Sequence, residues 1–239
     1  IGVAIQNNTN FTFTNAAEGS IEATGVDGVA VQLNGFNDGS TVFVNEGSIS
    51  SAGLAIRGFL GNGIVDNSGA ITGSIELVGD DSTVINEGSI DGNVTFGAGS
   101  DVFIQDVTTA SLTGIVDGGD GFDFFDIIGV VAEGSQAQIG GFTNVELVTF
   151  AADGRVNITE PSNTQFFNVL DGRTAEITAA ELTVSQLRTG ADASVVLEEG
   201  SVLNTTGLTG VSLLSTGASF VNNGAIFADI QGIEAVGDN

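Results

Sequence analysis

The chain has 239 residues, 30 acidic side chains and four basic ones, all arginine, for a formal net charge of −26. Histidine, cysteine, lysine, methionine, tryptophan and tyrosine are absent, which removes Ser-His and Cys-His nucleophiles, zinc sites of His and Cys, Schiff-base lysines and disulfides. The acidity sets the surface against phosphate backbones and anionic bilayers, so neither a nucleic acid nor a membrane surface is an expected partner. The charge does not mean disorder, because 41% of the residues are hydrophobic. No apolar run reaches the roughly 18–20 residues of a membrane span, and no membrane insertion is predicted. The chain opens Ile-Gly-Val-Ala with neither Met nor a basic leader, which reads as processed or excised.

In chain order, a repeat appears first. Asn15 leads into Gly19-Ser-Ile21, and tighter copies of Asn-x-Gly-x-Ile follow at Asn45–Ile49, Asn67–Ile71 and Asn86–Ile90, with another at Asn222–Ile226. The segments after them also recur, as Ile71-Thr-Gly-Ser-Ile75, Ile90-Asp-Gly-Asn-Val94 and Leu112-Thr-Gly-Ile115. A period of about 20–22 residues is too short for helical repeats or propeller blades and fits one coil of a parallel β-solenoid. The predicted fold is therefore all-β, with two or three short strands per coil and side chains alternating in and out. Val42 and Val44, Ile71 and Ile75, Ile90 and Val94, and Phe103 are the expected inward residues. The repeated Asn is placed at a turn, where it can take a left-handed φ or bond to its stacked neighbours. The Gly two residues on either takes positive φ or lets backbones approach. A β-sandwich with Asn-Gly turns is the alternative.

Two Gly-rich segments come next. Gly97-Ala-Gly-Ser-Asp101-Val-Phe103 and Gly119-Asp-Gly-Phe-Asp123-Phe-Phe125 share the pattern Gly-x-Gly-x-Asp-x-Phe. With Gly118, the second copy completes the nonapeptide of calcium-binding β-rolls. Asp101, Asp117, Asp120 and Asp123 are the candidate metal ligands, because calcium takes six to eight oxygens from carboxylates and exposed carbonyls. The competing reading is that Gly and Asp form turns while Phe fills the core. Asp80-Asp81 and Glu198-Glu199 read as solvated. Further on, residues 142–150 alternate as a strand, and 151–168, with the single proline Pro161, are a candidate irregular insertion or a distorted coil. Short strands resume from about 175, with helix a minority reading for 178–187. No linker divides the chain, so residues 1–239 are expected to form one elongated domain.

The repeat, the run Leu112-Thr-Gly-Ile-Val-Asp-Gly-Gly-Asp-Gly-Phe-Asp123, and Gly141-Phe-Thr-Asn-Val-Glu-Leu147 together resemble the passenger domains of bacterial autotransporters and related large secreted adhesins. The resemblance covers 11–150 well and 195–239 moderately. It implies a right-handed parallel β-helix on or outside a Gram-negative cell, serving adhesion or surface structure. It departs from those proteins in its short length and in lacking a terminal barrel or a protease or lipase motif. The function expected is that of a non-enzymatic extracellular structural or adhesive solenoid that contacts cell surfaces or glycans, or itself. The alternative is a carbohydrate-active β-helix, a lyase or glycosidase, which would need two or three outward acids with an Arg on consecutive coils. The ends carry one more expectation. Phe13–Val31 and Phe220–Val236 both hold the repeat and neither looks capped, so the chain is either a piece of a longer array or a subunit that stacks head to tail.

Overall fold

The computed structural model describes residues 2–7, 11–35, 41–59 and 61–235. The described residues are all-β and form a parallel β-solenoid. No helix among them is long and apolar enough to cross a membrane. The chain divides into two compact units, residues 1–105 with 109–123, and residues 106–108 with 124–239.

In the first unit, Phe11–Asn15, Thr41–Asn45, Gly63–Asn67, Thr83–Asn86 and Val102–Asp106 follow one another in parallel register. A second ladder takes Val3–Asn7, Val29–Gly35, the later parts of Ser48–Phe59 and Ala70–Leu77, then Val94–Thr95 and Ile115–Asp117. A third takes Ser20–Ala23, the early parts of the same two long strands, Ser89–Asp91 and Ser111–Leu112. The register is that of the repeat: Ile21, Ile49, Ile71, Ile90 and Leu112 lie directly above one another. So do Phe13, Phe43, Val65, Val84 and Phe103, and likewise Val31, Ile56, Ile75, Val94 and Val116. These three columns are the core. Each fully buried side chain in them contributes on the order of 1.5–3 kcal/mol that a lone coil could not realise.

One column of the same unit is polar. The Asn15 amide donates to Asn45 Oδ1 at 2.8 Å, Asn45 to Asn67 at 2.8 Å, Asn67 to Asn86 at 2.9 Å, and Asn86 to Gln105 Oε1 at 2.9 Å. The sequence separations along it are 30, 22, 19 and 19 residues, so turn length varies around the predicted period while the column stays unbroken. None of these residues has positive φ. Of the two roles expected for Asn, the stacked hydrogen bond is the one used. The following glycines serve close approach and not a left-handed turn: a Cβ on Gly69 would lie 2.1 Å from the Gly47 carbonyl oxygen, and one on Gly88 2.1 Å from that of Gly69.

The column also sets the phase of its strands. Asn45 faces inward, so Phe43 and Thr41 do too, and Val42 and Val44 stand half-exposed on the outer face. The expected inward pair Val42 and Val44 is thus wrong by one residue. Ile71, Ile75, Ile90, Val94 and Phe103 are inward as expected.

In the second unit, Phe124–Ile128, Val145–Phe150, Ser162–Val169 and Leu182–Thr189 succeed one another in parallel. The last of these splits its neighbours, taking Val202–Thr205 and then Ala225–Ala228 on its early half, Val211–Leu213 and then Ile233–Ala235 on its later half. A further ladder runs Ala137–Ile139, Gly154–Ile158, Thr174–Ala179, Ser194–Leu197 and Ser219–Asn222. Residues 151–168, expected as an irregular insertion, contain Gly154–Ile158 and most of Ser162–Val169, both in full register; Pro161 sits in the corner between them, where no ladder N–H is needed. Residues 178–187 are the end of Thr174–Ala179, a bend at Ala180–Glu181 and the start of Leu182–Thr189, with no helical turn. The Asn222 copy of the motif plays a different part from the others. It is exposed, stacks on Leu197 and not on another amide, and accepts its own turn's Gly224 N–H at 3.1 Å. Val236 lies outside the described residues.

Candidate functional site

Asp101 and Asp123 occupy the same column in adjacent turns of the first unit, each 1% exposed. Inward-facing Phe103 and Phe125 follow them two residues on, so strand alternation also points Asp101 and Asp123 inward. Ser82 N–H donates to Asp101 Oδ1 at 2.5 Å, and Asp101 N–H donates to Asp123 Oδ1 at 2.8 Å. Each carboxylate thereby closes a strand entry in the turn before it. The second oxygen of Asp101 is buried and has no hydrogen-bond partner. Burial pushes the Asp101 carboxyl up to about 6; the charges of Asp123, Asp81 and Asp80 act in the same direction and the Ser82 hydrogen bond opposes them.

The other two predicted ligands stand apart from this pair. Asp117 is half-buried, and its Oδ1 accepts the Gly119 N–H at 3.2 Å within its own turn. Asp120 is exposed on the short strand Asp120–Gly121, which pairs with Ala98–Gly99. The acids whose charges reach Asp101 from the preceding turn are Asp80 and Asp81, read from the sequence as solvated. Both are exposed, and Asp81 Oδ1 accepts the Ser100 N–H at 2.7 Å. Among the described residues no three acids are arranged around a common point for a metal. The Oδ1 atoms of both carboxylates already accept backbone N–H groups, and the rest of the six to eight oxygens that calcium takes would have to come from backbone carbonyls and water.

A second charged constellation, missed in the sequence, lies on the second unit. The Arg155 guanidinium reaches Glu176 Oε2 at 2.9 Å and Glu198 Oε1 at 3.3 Å, one acid in each of the next two turns. The separations of 21 and 43 residues were the available signal, being one and two periods. All three side chains are at least a quarter exposed, where such pairs are worth about 0.2–1 kcal/mol each. Arg173 pairs with Asp153 at 2.7 Å, Arg57 with Glu76 at 3.4 Å, and Arg188 lies 4.1 Å over the Phe166 ring. Every arginine is therefore engaged by a neighbouring turn. Beside the Arg155 ladder an open groove of about 490 Å³ is lined by Asn157, Thr159, Thr178, Ala180 and Glu199. It offers one amide, two hydroxyls and one acid, but no aromatic platform.

No family model, curated protein or solved structure matches this chain.

Proposed function

We propose that the chain is a non-enzymatic structural or adhesive solenoid that works outside the cell, at a bacterial surface, and associates with copies of itself through its end coils. The observation that carries this reading is the employment of the buried polar groups. Asp101, Asp123 and the column from Asn15 to Gln105 all point inward and hold one turn to the next, where a catalytic or ligand-binding set would converge on an accessible cleft. The side-chain inventory supports it, since the nucleophile–base pairs and lysine chemistry of most hydrolases are missing from the sequence. An acidic surface would also keep such a scaffold soluble while repelling anionic polymers.

The carbohydrate-active alternative draws on one observation, the outward Arg155, Glu176 and Glu198 on three consecutive turns beside the open groove. The two readings separate in one experiment. The chain is incubated with neutral and uronic polysaccharides, with and without calcium, and followed by reducing ends and unsaturated-product absorbance, with electron micrographs of the same sample. The expected result is no turnover, with assemblies in the micrographs. Turnover that Glu176→Gln abolishes would replace the structural reading with the enzymatic one.

A further inference from the structure

The groove beside the Arg155 ladder collects polar groups that the stacking of turns does not use up. Asn157 and Thr178 face outward as register partners on the adjacent strands Gly154–Ile158 and Thr174–Ala179, and Gln138 precedes them in the same column. Two glutamines hold them in place. The Asn157 amide donates to Gln138 Oε1 at 2.9 Å, and Gln136 Nε2 donates to Thr178 Oγ1 at 3.2 Å across two turns. Each bond engages one half of the side chain it fixes. Asn157 keeps its Oδ1 as an acceptor, and Thr178, already accepting, keeps its O–H to donate. In the next turn the exposed Glu199 adds a carboxylate, again an acceptor. The groups that face the solvent therefore alternate acceptor, donor, acceptor over three successive turns, about 4.8 Å apart per turn. Ala180 and Gly200 line the groove beside them, and their lack of bulk leaves a recess of about 490 Å³.

This pattern selects a ligand. Sugar hydroxyls both donate and accept, so a row of them answers acceptor, donor and acceptor in turn. One turn of the solenoid advances about as far as one ring of an extended, β-linked glycan, so successive rings meet successive rungs. A helical α-linked chain curves away from a straight column. Charge removes the acidic glycans, because Glu176, Glu198 and Glu199 outnumber Arg155 around the groove and a uronate would meet a net negative wall. We propose that this groove is a binding site for a neutral, extended β-linked oligosaccharide lying along the stack of turns, across Asn157, Thr178 and Glu199. It rests on the adhesive reading above and names the class of surface polymer that such a solenoid holds.

The test is saturation-transfer NMR of the full chain with cellohexaose, maltohexaose and hexagalacturonate. Cellohexaose is titrated for its Kd, and the sugar is recovered and sized afterwards. Cellohexaose should bind, and the helical and acidic sugars should not. Thr178→Val keeps the β-branched shape and removes the donor, and Glu199→Ala removes the acceptor of the next turn. Each should weaken cellohexaose by about three- to tenfold, as the loss of one hydrogen bond does, while Thr149→Val, outward on a different ladder, should leave the affinity unchanged. Far-UV circular dichroism checks that each variant keeps its β signal; should Thr178→Val lose it, Glu199→Ala, at an exposed corner, decides. No binding of cellohexaose, binding of maltohexaose or hexagalacturonate as tight as that of cellohexaose, or an affinity that either folded variant leaves unchanged overturns the site and leaves the structural reading to its own test. Cellohexaose recovered in shorter pieces overturns the non-enzymatic reading instead.

Discussion

The inward-facing carboxyl of Asp101 makes a quantitative claim about pH. Its pKa is raised in the folded chain from 3.8 to about 6, so between those values the native state keeps a proton that the unfolded chain has released. Stability from this group therefore falls as pH rises through that window, by about 3 kcal/mol from bottom to top. Asp101→Asn keeps an oxygen to accept the Ser82 N–H and removes the titration. It also puts an amide nitrogen where the unpartnered Oδ2 stands, and a buried donor left without an acceptor costs about 1–2 kcal/mol. Relative to the parent chain, the variant should be less stable by about 1–2 kcal/mol below pH 4 and more stable by about 1–2 kcal/mol above pH 7, with the curves crossing between. Urea denaturation followed by far-UV circular dichroism, in steps from about pH 3.5 to 8, measures both chains. The quantity to read is the difference between them, in which contributions remote from Asp101 cancel. A difference that stays constant, or that moves against the variant as pH rises, would refute the reasoning and mean that the Asp101 charge is stabilised where it lies.

Three further outcomes are expected. A calcium titration of the melting temperature should give a gradual, non-saturating rise that is the same for the parent chain and Asp123→Asn, as counter-ion screening does; a saturating rise that Asp123→Asn abolishes would establish an ion between Asp101 and Asp123. Asn67→Leu should destabilise by about 2–4 kcal/mol in urea, since it strips the Asn45 amide of its best acceptor and the Asn86 carbonyl of its donor, whereas Gln105→Leu should cost less, about 1–2 kcal/mol, because it breaks one rung only, leaves the Asn86 amide the Ser111 carbonyl at 3.1 Å, and removes a Gln105 Nε2 that already lacks a partner. Gly69→Ala should cost more than about 3 kcal/mol or abolish the cooperative transition, because its methyl meets the Gly47 carbonyl at 2.1 Å; a melt like the parent's would mean that adjacent turns separate easily.

The architecture was legible because the repeat is written in residues that touch. Ile21, Ile49, Ile71, Ile90 and Leu112 recur in the sequence and stack in the fold, so the period could be read without knowing the strands. What escaped was phase. Val42 and Val44 look like core residues by hydropathy, and only the inward Asn45, buried because its amide is satisfied along the column, places Phe43 inside instead. Residues 151–168 looked irregular because of Pro161, and within Ser162–Val169 the inward set does shift by one residue between Thr164 and Phe167, although both strands keep register with their neighbours. At the candidate site the sequence found Asp101 and Asp123 through their shared spacing. It added Asp117 and Asp120 by proximity along the chain and set aside Asp80 and Asp81, which the stacking of turns brings near. Neighbours across turns, such as Arg155 with Glu176 and Glu198, are visible in a sequence only once its period is known.

The unequal spacing of the amide column has a bearing on how such a chain can change. Its rungs are counted in turns, so a turn of 30 residues is held as firmly as one of 19, and the excess is carried where the backbone leaves the column. The corner at Thr24–Gly28, in the longest turn, is one such place: it lies outside the strands and its residues are mostly exposed. Insertions there lengthen a loop at a slowly growing entropic cost and leave every rung in place. The column thus separates inheritance of the frame from variation of the surface. A peptide spliced into that corner would be displayed by a scaffold indifferent to its length, while the loss of an inner rung would leave unmet amide groups in the turns on both sides of it.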